Sequence, residues 1–170
     1  DLANGVKAGG TLNAKEEVIP LPSIMVGHGL LMMLSWGLIL PMGVVVAHLH
    51  RQTLPKGWWF KMHKALQYLG WFLQLVGFIM AFVYKENSHF QGKGIAELHM
   101  VLGGIVVLIG TLQPLNAFFR PHKTPGEPSS SNRKCWEVSH KGFGYLAVLG
   151  GMANCVIAGF VLQEKHTGSE

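Results

Sequence analysis

The chain has 170 residues, of which 49% are hydrophobic and 14% charged, and a formal net charge of +5. Its mean hydropathy is positive, which argues against an ordinary soluble domain. No stretch shows the strict polar/apolar alternation of a membrane β-strand, and no RNA-binding motif accompanies the basic residues, so nucleic acid is not an expected partner.

The chain opens at Asp1 with no Met and no signal-peptide pattern. Its first twenty residues, DLANGVKAGGTLNAKEEVIP, are polar and Gly/Ala-containing. Residues 1–23 therefore read as a linker from an upstream domain. Four apolar segments follow, near 24–48, 58–84, 95–119 and 136–162. Each meets the length of about 20 residues that a transmembrane helix needs. The loops between them are short, which predicts an all-α, transmembrane, antiparallel four-helix bundle over 24–163, with 164–170 as a tail. Cys135 and Cys155 fall on the fourth segment, roughly 30 Å apart at helical rise, too far to pair within one chain.

Antiparallel segments divide the charges between two faces. The face with both termini and the 85–94 loop carries five basic and seven acidic residues, a net of −2. The other face carries nine basic residues against Glu127 and Glu137, a net of +7. The basic face is expected to be cytosolic, leaving the N-terminus extracellular or lumenal.

Each segment carries one histidine near its start: His28, His63, His99 and His140. Ionisable groups inside a span are costly and usually functional. Alternating direction sorts them into two pairs, His28 with His99 at the acidic face and His63 with His140 at the basic face. The i, i+4, i+7, i+11, i+14 stripes from three of them are small or amide-rich: His63, Gln67, Gly70, Gln74, Gly77; His99, Gly103, Val106, Gly110, Gln113; His140, Gly144, Ala147, Gly151, Asn154. The first segment follows less well, with Met42 at i+14 beside Gly43. Two ligand levels about 15 residues apart lie roughly 22 Å apart along a helix, so position i+14 of each helix passes the opposite site. Satisfied interior histidines are the plainest alternative. Zinc or copper is another, but two histidines leave a tetrahedral zinc short of ligands. Bis-histidine haem needs only two axial nitrogens. His48, His50, His89, His122 and His166 read as solvated or interfacial residues, His89 also as an aid to an acceptor at the acidic face.

The segments GHGLLMMLSWGLILPMGVVVA (27–47), WWFKMHKALQ (58–67), ELHMVLGGIVVL (97–108), LQPLNAFFRP (112–121) and WEVSHKGFGYLAVLGGMANCVIAG (136–159) resemble the cytochrome b561 family, particularly its DOMON-fused form. The resemblance covers about Ile24 to Leu162. It implies two haem b groups ligated by His28, His63, His99 and His140. It also implies electron transfer from cytosolic ascorbate to an outer acceptor: monodehydroascorbate, ferric iron or an attached DOMON domain. Family members carry one or two helices beyond this core. Respiratory cytochrome b, with two histidines on each of two helices, does not fit, since position 113 is Gln113. An anionic reductant would be drawn to Lys61, Lys64, Arg133, Lys134 and Lys141, with Arg120 nearby. The alternative role for these residues is to set topology or to pair with haem propionates. Ferric-reductase-like oxidoreductase activity is one expected outcome; a haem-containing redox sensor or structural membrane module is the other. Membrane lipid is the remaining expected partner, and a homodimer is left open.

Overall fold

The computed structural model describes residues 22–50, 53–55, 57–88, 92–122, 126 and 128–167, with side chains described as far as Glu164. Nearly all of the expected 1–23 linker, the end of the 164–170 tail, and the side chains of His89, Lys123 and His166 lie outside the described residues. Among the described residues there are four helices: α1 (Ser23–Leu49), α2 (Trp58–Ser88), α3 (Ile95–Phe118) and α4 (Ser131–Thr167). Among the described residues there is no strand. All four helices are long and apolar enough to cross a membrane. α1 packs along α2, and α3 along α4, as two antiparallel hairpins. The loops entering α2 and α3 turn at Gly57 and Gly94, whose φ values of +87° and +57° favour glycine.

Two elements differ from the sequence expectation. α4 begins at Ser131, five residues before the apolar run. Ser130 caps it: its Oγ accepts the Arg133 N–H at 3.3 Å, and its carbonyl accepts the Lys134 N–H at 3.0 Å. Hydrophobic periodicity does not mark this polar first turn. α1 is also not uniformly α-helical. From Met33 to Ile39 it widens into a π-helical turn, and the Leu40 N–H reaches back five residues to Ser35 O. Pro41 follows at once and has no N–H to offer. The widened turn inserts one residue into the face. The α1 position level with the opposite histidines is therefore Gly43, fifteen residues from His28, not Met42. Gly43 is buried and Met42 is 45% exposed.

The buried layer lies midway along the bundle, seven to twelve residues beyond the histidines. Trp36, Leu40, Val106 and Ala147 form its centre, and Ser35 donates its Oγ–H to Gly70 O at 2.7 Å. Glycines let the helices close on this waist. A Cβ at Gly70 would meet Leu40 Cδ2 at 2.6 Å, and one at Gly110 would meet Trp36 Cη2 at 2.9 Å. A Cβ at Gly151 would run into the Trp36 indole. Leu30, Phe72, Ile79, Leu108, Leu146 and Leu149 point outward and are exposed, which suits a lipid surround. In lipid, apolar burial supplies little drive for helix association, so this close packing has to supply it.

Gly151→Ala should therefore lower stability by about 1–3 kcal/mol through overpacking against a buried, rigid ring. Gly159→Ala, where a Cβ meets nothing within 4 Å, should be nearly neutral. Thermal unfolding of both variants in the same detergent checks this; equal midpoints would show that Trp36 yields freely.

Candidate functional site

The bundle brings the α1 and α3 histidines together. The His28 and His99 rings lie 6.3 Å apart between centroids, nearly perpendicular at 86°. At the other end, His63 on α2 lies within electrostatic range of His140 on α4. All four rings are half-buried. Among the described residues, no three or more His, Cys, Asp or Glu side chains gather into a metal-binding group. The imidazoles come in twos.

Three of the four rings are anchored the same way. His28 Nδ1 donates to Gly77 O at 2.8 Å, and His63 Nδ1 donates to Gly43 O at 2.8 Å. His99 Nδ1 donates to Asn154 O at 3.3 Å. A carbonyl oxygen can only accept, so Nδ1 must carry the proton in each case. The proton on Nδ1 leaves the Nε2 lone pair as the basic site, the arrangement of a metal-ligating histidine with its outer hydrogen bond in place. The accepting residues are those that the spacing put opposite the rings: Gly77 and Asn154 at i+14 of their helices, and Gly43 at i+15 because of the π turn. Helical carbonyls keep a second lone pair for such a bond. A Cβ at Gly43 would press on Leu66 Cβ at 3.3 Å and one at Gly77 on Leu31 Cβ at 3.3 Å, so glycine at both lets α1 and α2 lie close together.

The paired geometry suits an axially ligated iron. An iron held by one nitrogen of each ring, at the roughly 2 Å usual for imidazole–metal bonds, would leave the centroids about 6 Å apart. His28 and His99 stand at that separation. Gly103 and Gly144, one turn beyond His99 and His140, carry no side chain beside the rings. The residues present therefore fit a haem at the His28/His99 level on distance, and at both levels on donor chemistry.

His140 is oriented differently. Trp136, one turn earlier, stacks on it at 4.9 Å with 9° between planes, and the indole N–H donates to Asn116 O at 2.8 Å. The guanidinium groups of Arg133 and Arg120 lie over the Trp136 ring at 4.9 and 5.7 Å. Arg120 also lies 5.1 Å from the Phe60 ring centroid, and Lys64 lies 5.0 Å from it. Trp136 stands four residues before His140, the one-turn spacing in the sequence that sets up this stack.

The five basic residues singled out from the sequence do not share one environment. Lys61, Lys64, Lys134 and Lys141 are exposed at the same end of the bundle. Arg133 is only 6% exposed; it donates from Nε to Glu137 at 2.8 Å and from Nη1 to Pro121 O at 2.9 Å. It ties the α3–α4 loop to α4. His48, His50 and His122 are exposed. His48 meets the Tyr145 hydroxyl at 3.2 Å and His50 meets Thr53 at 3.0 Å, so neither joins a ring pair. Cys135 and Cys155 are both free thiols.

Residues 27–165 match the family described as eukaryotic cytochrome b561. The chain is 32% identical over 94% of its length to a cytochrome b561, DM13 and DOMON domain-containing protein of Arabidopsis thaliana, of which it covers 16%. It is 36% identical over 85% of its length to a cytochrome b561 and DOMON domain-containing protein of the same plant, covering 34% of it. It is also 34% identical over 55% of its length to ferric-chelate reductase 1 of Homo sapiens, covering 16% of that protein. No solved structure matches. The chain belongs to the cytochrome b561 family, whose members bind b-type haem and move electrons through a membrane-embedded helical core. It spans between about a sixth and a third of the length of these relatives.

The burial of Arg133 separates its role from that of the lysines. Arg133→Gln should cost about 1.5–3 kcal/mol of stability by breaking hydrogen bonds of a buried charge. Lys134→Gln and Lys141→Gln should stay within about 0.5 kcal/mol of the parent. Thermal unfolding of the three variants would expose the error if Arg133→Gln were as stable as the lysine variants.

Proposed function

We propose that this chain carries single electrons across a membrane through two b-type haems, one held by His28 and His99 and the other by His63 and His140. The observation that carries this reading is the pairing of imidazoles from opposite hairpins, with Nδ1 of three rings bonded to a backbone carbonyl and Nε2 left as the basic nitrogen. Bound haem supplies one-electron chemistry at iron. The residues of the chain hold the rings, set ligand basicity through the Nδ1 bonds, and shut water out of the interval between the sites with the Trp36 layer. Histidine levels 14 residues apart correspond to about 21 Å of helix rise.

The donor in this proposal is ascorbate, arriving at the basic, cytosolic end beside His63 and His140. The exposed lysines 61, 64, 134 and 141 would draw an anion there. Electrons leave at the His28/His99 end, toward monodehydroascorbate, ferric iron or an attached DOMON domain. The ferric-chelate reductase among the relatives supports iron as an acceptor, and the DOMON-containing relatives support a fused domain ahead of residue 24. With this orientation the N-terminus is extracellular or lumenal, because the face with the basic excess stays inside.

Pyridine haemochrome against protein concentration should give a haem-to-chain ratio near two, and a ratio near one in fully loaded protein would remove one pair. His63→Ala and His140→Ala should lose the same haem; His28→Ala and His99→Ala should lose the other. Redox titration of the four variants reads this directly. Identical residual potentials for His28→Ala and His63→Ala would overturn the pairing.

Electron entry has its own test. Replacing Lys61, Lys64, Lys134 and Lys141 together with Gln should slow haem reduction by ascorbate and leave reduction by a neutral dye nearly unchanged. The parent rate with ascorbate should fall as salt rises, because exposed charges are screened over about 10 Å at 0.1 M. Insensitivity to both would reduce the lysines to a topology signal. Haem reduction by ascorbate with no ferric reduction on the far side of a sealed vesicle would favour a redox sensor.

A further inference from the structure

Three of the four histidines donate Nδ1–H to a backbone carbonyl, and the fourth does not. His140 Nδ1 is buried and has no partner. By the spacing that holds for the other three, its acceptor should come from α3 at position 113. That residue is Gln113, and its side-chain Oε1 is also buried and without a partner. The two orphan atoms complement each other: one is a donor in the ligating tautomer, the other an acceptor in any state. Gln113 Oε1 lies 3.9 Å from where a Cβ of Gly144 would stand, and Gly144 is one turn from His140 on the same helical face.

The sequence explains why this corner differs. At positions 43 and 77 glycine exposes its carbonyl, and both bonds measure 2.8 Å. Asn154 carries a side chain, and its carbonyl is reached only at 3.3 Å. Gln113 carries a longer one, and Pro114 follows it within the helix. Gln113 brings a side-chain oxygen to the level where the other three positions use a main-chain one. A buried donor and a buried acceptor, each without a partner, are a cost that one bond between them would remove on both sides.

We infer that the Gln113 carboxamide is the positioning group for His140, accepting its Nδ1–H through Oε1 where the other three histidines use a main-chain carbonyl. This rests on the reading of His140 as a haem ligand. An acceptor on Nδ1–H raises the basicity of Nε2, and a more basic ligand favours the ferric state. The His63/His140 haem is thereby tuned by a side chain, which substitution can alter, while the His28/His99 haem is tuned by the main chain.

The test uses the full chain in detergent, with the two haem potentials resolved by spectroelectrochemical titration and the ferric low-spin signals followed by electron paramagnetic resonance. Gln113→Met, similar in length but without the acceptor, should raise the potential of the His63/His140 haem alone and change its ferric signal as the ring loses its anchor. Gln113→Glu retains an acceptor oxygen and should leave that potential at or below the parent value. Leu112→Met, on the exposed side of α3, should move neither haem. Should Gln113→Met fail to load that haem, Gln113→Glu must still load it with a potential no higher than the parent's. The inference is overturned if Gln113→Met moves neither haem or moves both alike, or if Gln113→Glu raises the potential. If His140→Ala kept both haems, the ligand assignment itself would fail. If the pairs held and the Gln113 variants changed nothing, only this inference would.

Discussion

The structure depends on the hydrogen bond between a histidine Nδ1 and a main-chain carbonyl on the antiparallel partner helix. One bond does two things. It satisfies an imidazole that would be costly in a membrane interior, and it selects the tautomer that presents Nε2 to the opposite hairpin. His28 on α1 anchors to α2 and His63 on α2 anchors back to α1, so this hairpin is tied at both ends, while α3 and α4 are joined in this way through His99 and Asn154. Two of the three accepting carbonyls belong to glycines, Gly43 and Gly77, where α1 and α2 approach closely, and the third belongs to Asn154.

Between the two histidine levels the bundle is closed by Trp36. Its indole sits among Gly110, Gly151 and the buried residues Val106 and Ala147. A large flat ring against two glycines gives a dense layer, which also buries Gln74, in a helical bundle whose outer surface is apolar. Small residues recur at the histidine levels and at the waist, where they let helices touch. The π turn in α1 links the two demands. It places Ser35 and Trp36 in the waist and then moves Gly43, in place of Met42, into line with His63.

The basic end combines two roles. Arg133 is buried, paired with Glu137 and bonded to the α3–α4 loop, so it builds the end of the bundle. It also caps the Trp136 ring that stacks on His140. The lysines are exposed and share only charge. A count of positive residues treats all of them alike, whereas burial divides them into one structural cation and a set able to act on a soluble anion.

By itself the sequence determined what depends on periodicity and length: four apolar helices, one histidine near the start of each, two pairs by alternation of direction, and a fourteen-residue offset to the opposite level. These follow from 3.6 residues per turn and the thickness of a bilayer, which need no knowledge of neighbours. The tertiary structure decided what depends on contact. The π turn was invisible because its cause is a one-residue adjustment that lets α1 face α2 on both sides of Pro41, and composition does not register a shift of one. The polar first turn of α4 was missed because a Ser cap, not an apolar stripe, starts it. That Gly43, Gly77 and Asn154 act through their carbonyls could not be read from side-chain identity, since every residue has a carbonyl. Packing alone selects which carbonyl meets a ring. The pattern of small residues at those positions was legible from the start; its reason lies in the distance between two helices.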